Sequence, residues 1–300
     1  MQEEIRKGYL ISKETKKIWS IQLDLLKKLL KVCEKYNLKI WADSGTLLGA
    51  IREGGYIPWD DDIDMVMLRP DYDKLIAIAE KEFKHPYYLQ SGYSEKVSYP
   101  RGHAQLRNSD TSAILPADIT QDFNQGIFID IFVLDAVPTD QKELEKYIKT
   151  INHWKFMLCL RAKKIRYSFH PKHFIKCFLF QLISLGWSNK KIYSFYDNSL
   201  KKFNIEEKQY LSYVGLISKV EYVNIRMIDK HWFDETIYKP FENINIPIPG
   251  GYHYLMKMLY GENYMQPVKS PSAHGEVIFD TERSYKEVIK ELRKERKQKR

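Results

Sequence analysis

Apolar residues recur at three- and four-residue steps early in the chain, at Ile18, Ile21, Leu25, Leu29, Val32 and Tyr36, with lysines between them. That spacing predicts an amphipathic helix over 16–36. Asn37 ends it, and Leu38 to Ala42 reads as a short buried strand. Ser44 is expected to cap a short helix running from Thr46 to about Arg52. Gly54-Gly55 breaks that helix, and Pro58 shapes a loop into a strand predicted over Asp62–Leu68. Pro70 opens another helix, about 70–83, with Leu75, Ile76, Ile78 and Ala79 as its apolar residues. Strand-like pieces follow at Tyr87–Gly92, His103–Arg107 and Ser112–Leu115, and then GIFIDIFVL from Gly126, which carries Asp130 in its middle. Helices alternating with strands predict an α/β or α+β fold with a mixed sheet.

After about residue 139 lysines, aromatics and helical spacing take over. The expected organisation is a core over 1–139, a mostly helical portion over 140–285 and a basic tail over 286–300. The tail reads as a helix fraying into disorder. Within the helical portion, FIKCFLFQLISLGW at Phe174–Trp187 is apolar almost all round but too short to cross a bilayer. Lys155, Arg161, Lys163, Lys164, Arg166 and Lys172 precede it. Two readings stay open: a helix lying at an anionic membrane surface, or a buried core helix.

The chemistry concentrates at Asp60, Asp61, Asp62 and Asp64, framed by Ile63, Met65, Val66, Met67 and Leu68. In a strand, alternate side chains share a face, so Asp62 and Asp64 are expected to point the same way. Neighbouring carboxylates repel unless a cation sits between them, and all-oxygen ligands suit Mg²⁺ or Mn²⁺. Asp130, flanked by Phe128, Ile129, Ile131 and Phe132, is costly to bury unpaired and makes the third candidate ligand. These three are also the candidate catalytic residues. Asp60 and Asp61 either orient a nucleophile or cap the loop. Ser44-Gly45-Thr46, at a helix start, favours an anion. The expectation is a metal-dependent enzyme acting on phosphates.

The chain has 300 residues, a formal charge of +9 and three cysteines with no CxxC pair. The charge fits phosphate-rich substrates, nucleic acid or an anionic membrane and does not choose among them. Dispersed cysteines, no signal-peptide core and no spanning apolar run point to the cytoplasm, with peripheral contact at the inner membrane face allowed.

The run GTLLGAIREGGYIPWDDDIDM resembles the first sequence block of the LicD family; GIFIDIFVLDAVP at 126–138 resembles its second and YGENYMQP at 260–267 its closing block. The resemblance implies a nucleotidyltransferase fold and transfer of a phospho-alcohol, phosphocholine foremost, from a CDP-linked donor to a hydroxyl of a cell-surface glycan. That glycan would be a teichoic acid, a lipopolysaccharide or a lipid-linked precursor, and CMP would be released. It implies that Asp62, Asp64 and Asp130 bind the divalent ion, that Ser44, Gly45, Thr46 and Arg52 face the donor phosphates, and that Arg107 does so where the family usually has Lys. Trp59, beside the aspartates, is the foremost candidate to hold a quaternary ammonium; His274 matches a late family histidine suited to act as a base. The rival donors are CDP-ribitol, CDP-glycerol or a nucleoside triphosphate. The non-enzymatic rival is a basic RNA- or lipid-binding protein, although no nucleic-acid partner is expected.

Overall fold

A computed structural model describes residues 2–162, 175, 178–179, 182–217, 219–269 and 276–298. It is a mixed α/β protein whose contacts divide it into two units. Unit 1 comprises Met1–Leu89, Gln105–Phe132 and His231–Arg300, and unit 2 comprises Gln90–Ala104 and Val133–Lys230. The units interleave along the chain, whereas composition suggested consecutive portions.

Unit 1 is built on helix α1 (Lys13–Lys35), which buries Trp19, Gln22, Leu25, Leu26, Leu29, Val32 and Cys33. Ser12 caps it, its hydroxyl accepting from the Thr15 N–H at 3.1 Å. Asn37 ends it in the left-handed region at φ 51°. The expected strand at Leu38–Ala42 shortens to Trp41–Ala42; Leu38 and Ile40 are buried outside it. That strand lies antiparallel to Asp64–Leu68, with Trp41 opposite Val66 and Ala42 opposite Met65. Asp64–Leu68 also neighbours Ile127–Ala136, the long strand carrying Asp130, and the Asp130 N–H reaches the Ile63 carbonyl at 2.8 Å. Helix α2 (Ser44–Arg52) and helix α3 (Arg69–Glu82) flank this core.

Two later pieces of unit 1 are strands: a hairpin of Thr236–Phe241 with Ile244–Pro249, and Ile278–Asp280 paired with Ser112–Ile114. The tail is helical over Tyr285–Gln298. It does not fray as expected, because Val288 and Ile289 pack with Ile114 and Ile119. Arg293 donates to the carbonyls of Ile119 and Gln121, both at 2.7 Å. Burying two branched side chains contributes a few kcal/mol, about 1.5–3 each.

Unit 2 pairs helix α4 (Gln141–Ala162) with helix α5 (Asn189–Leu200). Their facing residues, among them Leu144, Tyr147, Ile151, Leu158, Ile192 and Tyr196, form one apolar core. The buried tyrosines satisfy their hydroxyls on backbone carbonyls: Tyr147 on Leu200 at 2.6 Å and Tyr196 on Gly215 at 3.1 Å. The helices expected past residue 139 are therefore present in this unit.

Candidate active site

Unit 1 contains a cavity of about 500 Å³. Asp60, Asp61, Asp62 and Asp64 line it, with Ser44 and Gly45 from the start of α2. Arg52 from the end of that helix joins them, and so do Trp59, Tyr260 and Tyr264.

The aspartates do not all sit in the strand. Pairing begins only at Asp64, so Asp62 belongs to the preceding loop and shares no strand face with it. The loop is held by α1 instead: the Trp19 indole donates to the Asp60 carbonyl at 3.0 Å, and the Gln22 amide to the Asp61 carbonyl at 2.7 Å. Tyr56, stacked on Trp19 with ring centroids 4.3 Å apart, donates to Gln22 Oε1 at 3.1 Å. With its carbonyls turned toward a helix, the loop presents its side chains together. Carboxylate oxygens of Asp60, Asp61 and Asp62 lie within 4.8 Å of one another.

Burial, then the charge of Asp62, a hydrogen bond with it and the charge of Asp61, push the Asp60 carboxyl up to about 8. Burial, and after it Asp62, Asp130, Asp43 and Asp60, hold the Asp64 carboxyl well above the carboxylate range. Each resists ionisation because it is buried and, after that, because its neighbours are negative. A divalent cation would relieve that repulsion, and the donors present are all oxygen. The residues therefore fit the ion that the sequence led us to expect.

The start of α2 is unusual. Asp43, not Ser44, is the N-cap, and Ser44 lies in the left-handed region at φ 44°. Such strain in a residue lining a cavity is held by its surroundings and belongs to functional sites. Thr46 is buried, and its hydroxyl accepts from the Asp64 N–H at 2.8 Å, joining the helix start to the strand start. Gly45 is required for a different close approach than the one expected: a β-carbon there would run into Asp60 Oδ2.

Arg52 has only 5% of its side chain exposed. Its Nε donates to Glu53 Oε1 at 2.6 Å and its Nη1 to the Tyr264 carbonyl at 3.2 Å, while Nη2 is buried with no hydrogen-bond partner. The second oxygen of Glu53 is held by Lys7. Two directions of the guanidinium are thus fixed and the third has no partner.

Asp130, 2% exposed, is not among the residues lining the cavity, but its charge reaches Asp64. Its Oδ1 accepts from the Gln105 amide at 2.7 Å. Arg107 in turn donates to Gln105 Oε1 and, at 2.6 Å, to the Gly126 carbonyl, with its guanidinium 4.6 Å from the Phe128 ring. The structure turns Arg107 inward, away from its expected place at donor phosphates, because buried strand neighbours absorb its donors. His274 lies outside the described residues.

Of the other large aromatics, Trp41 donates to Thr236 Oγ1 at 2.9 Å within the core and Trp154 packs in unit 2. Trp59 stays at the cavity, 4.8 Å from the ring of Tyr9. Tyr260 was not singled out from the sequence. Burial and then Asp43, Asp64, Asp60 and Asp62 raise its phenol, which places it beside the carboxylates. Its signal was the YGENYMQP block, whose first and fifth residues both line the cavity.

Residues 37–132 match the family model described as LicD/FKTN/FKRP, nucleotidyltransferase domain. The chain is 28% identical over 248 residues to the lipopolysaccharide cholinephosphotransferase LicD of Haemophilus influenzae, covering 81% of this chain and 88% of that protein. It is 29% identical over 136 residues to an uncharacterized protein of Rickettsia prowazekii, covering 45% of this chain and 46% of that one.

Proposed function

We propose that this chain, which belongs to the LicD family and is a phosphotransferase, moves phosphocholine from CDP-choline to a hydroxyl of a cell-surface glycan and releases CMP. The name of the Haemophilus relative supports phosphocholine as the group and lipopolysaccharide as the acceptor. The observation that carries the reading is that Arg52, whose buried Nη2 has no hydrogen-bond partner, lines the same cavity as four aspartates. Four carboxylates alone call for a cation, and an unpaired guanidinium nitrogen alone calls for an anion. A metal diphosphate supplies both.

Asp62 and Asp64 would hold Mg²⁺ or Mn²⁺, with Asp130 behind Asp64 and Asp60 and Asp61 alongside. When bound, the ion supplies positive charge to the diphosphate oxygens. Arg52 would donate from Nη2 to a phosphate oxygen, and the backbone N–H groups of Ser44 and Gly45 at the start of α2 would face the same anion. The acceptor oxygen attacks the β-phosphorus as the bond to the CMP oxygen breaks. Asp60 or Asp61, in the loop ahead of the strand, takes the hydroxyl proton. The faces of Trp59 and Tyr260 would receive the trimethylammonium group. The reaction is assigned to the cytoplasmic side, in keeping with a buried Cys33 that forms no disulfide.

The test is turnover of purified protein with CDP-choline, CDP-ribitol, CDP-glycerol and nucleoside triphosphates, each with Mg²⁺. CMP from CDP-choline supports the reading. CMP from CDP-ribitol or CDP-glycerol alone keeps the site and changes the alcohol. Turnover of triphosphates alone overturns it.

A further inference from the structure

Among the described residues of unit 2, several exposed large apolar side chains fall near one another in sequence, over 175–185. Ile175, Phe178, Leu179, Leu182 and Ile183 are helical and are large apolar residues of the kind that normally turn to a core. Here all five side chains are between 48% and 70% exposed, and Leu185 beyond them is 69% exposed. The end of this segment is fixed to the unit 2 helices. Arg161 donates to Ser184 Oγ at 3.3 Å, to Asn189 Oδ1 at 3.3 Å and to the Trp187 carbonyl at 3.4 Å, and Ser184 is fully buried. Trp187 packs against the core.

The stretch of sequence that carries these residues has charge of one sign. Between Glu145 and Asp197 it has eleven lysines and arginines and no aspartate or glutamate. Lys190 and Lys191, just past the anchored end, are exposed. Surface charge on soluble domains is ordinarily mixed in sign. An apolar helical face within a purely basic stretch matches a surface that is negative outside and hydrocarbon beneath. A protein partner would need acidic residues around an apolar groove. An anionic bilayer offers both features without a dedicated fold. No helix among the described residues is long and apolar enough to cross a membrane, so the contact is interfacial.

We propose that the face formed by Ile175, Phe178, Leu179, Leu182 and Ile183 docks unit 2 on an anionic lipid bilayer, with the exposed lysines at the headgroups. This goes beyond the transfer reaction and does not depend on which donor is used.

The experiment is flotation of the full chain with phosphatidylcholine vesicles, with and without phosphatidylglycerol, at low and high salt. Wild type should float with the anionic vesicles, about tenfold less with the neutral ones, and less again at high salt. Leu182→Glu/Ile183→Glu should lower anionic recovery about tenfold while leaving CDP-choline turnover on a soluble acceptor unchanged. If that pair misfolds, Lys190→Glu/Lys191→Glu tests the electrostatic part alone and should reduce recovery several-fold. Equal recovery on neutral and anionic vesicles, no flotation at low salt, or variants that float like wild type would overturn the proposal. So would a dimer in size-exclusion light scattering that the Leu182/Ile183 variant dissolves, because a second copy would then cover the face. Loss of CDP-choline turnover in wild type would instead strike the transfer reading and leave this one standing.

Discussion

In unit 1, Asp43, Asp130 and Arg52 are buried among strands and helices, whereas in unit 2 Phe178, Leu182 and Ile183 stand in solvent. Each unit reverses the usual sorting of side chains. The reversals have different physics. A half-buried carboxylate cluster raises the free energy of the protein, which the proposed ion and diphosphate would lower. An exposed apolar face leaves water-contact free energy that a surface can remove. Elsewhere both units obey the ordinary rule: Leu25, Leu26 and Leu29 of α1 and Leu144, Ile148 and Leu158 of α4 are buried. The departures therefore locate function, and substitutions should separate them.

The largest expected effect is at the carboxylates. Asp62→Asn and Asp64→Asn should lower transfer about 10²–10³-fold, the scale of removing one transition-state-stabilising group. Measured without metal, the same variants should melt no lower than wild type, since like-charge repulsion is removed, and should lose the rise in Tm that Mg²⁺ gives wild type. A fall in Tm without metal would show that the cluster is structural. Next, Arg52→Ala should raise KM for CDP-choline about ten- to a hundredfold, and Arg52→Lys should recover only part, because the fork that reaches Glu53, the Tyr264 carbonyl and the ligand together is lost. Glu53→Gln should raise KM several-fold with kcat little changed, as expected of a residue that orients Arg52; an unchanged KM would show that Arg52 is held by the Tyr264 carbonyl alone.

Much of this site was legible in the chain. The Asp60–Asp64 run, the apolar frame of Asp130 and the helix start at Ser44 all declared themselves locally. Contacts between distant segments were not legible. Nothing near Gln22 says that its amide will hold the Asp61 carbonyl, and nothing near Arg52 points to a carbonyl at Tyr264. Arg107 was misplaced for the same reason: its partners Gln105 and Gly126 compete with a phosphate only once the strands have formed. The strand start was misjudged by two residues because alternation of Asp with apolar residues continues into a loop whose carbonyls bond to α1. The tail's charges suggested disorder, and its apolar residues Val288, Ile289 and Leu292 decided the matter. Likewise the sequence over Phe174–Trp187 reads as apolar almost all round, which does not say whether it meets a core or a surface.

The smallest effect sharpens the contrast from the side of the ordinary core. Burial, with a lesser push from the charge of Asp71, drives the Cys33 thiol up to about 12 from an unfolded value of 9.0. A raised pKa favours the folded state below the unfolded value, and that contribution fades as pH rises from 9.0 toward about 12. At pH 8 Cys33 should therefore resist thiol reagents in the native protein and react once denaturant is added. Rapid labelling under native conditions would mean that α1 opens readily, and with it the support of the aspartate loop.

Release of CMP from CDP-choline by the purified protein, followed as Mg²⁺ is titrated from zero in wild type and in Arg52→Ala, tests the shared cavity most directly. CMP should form only with the divalent ion, and Arg52→Ala should need far more CDP-choline at every Mg²⁺ concentration. CMP release that persists in a chelator, or an Arg52→Ala curve that overlays wild type, would contradict a site that binds the metal and the diphosphate together.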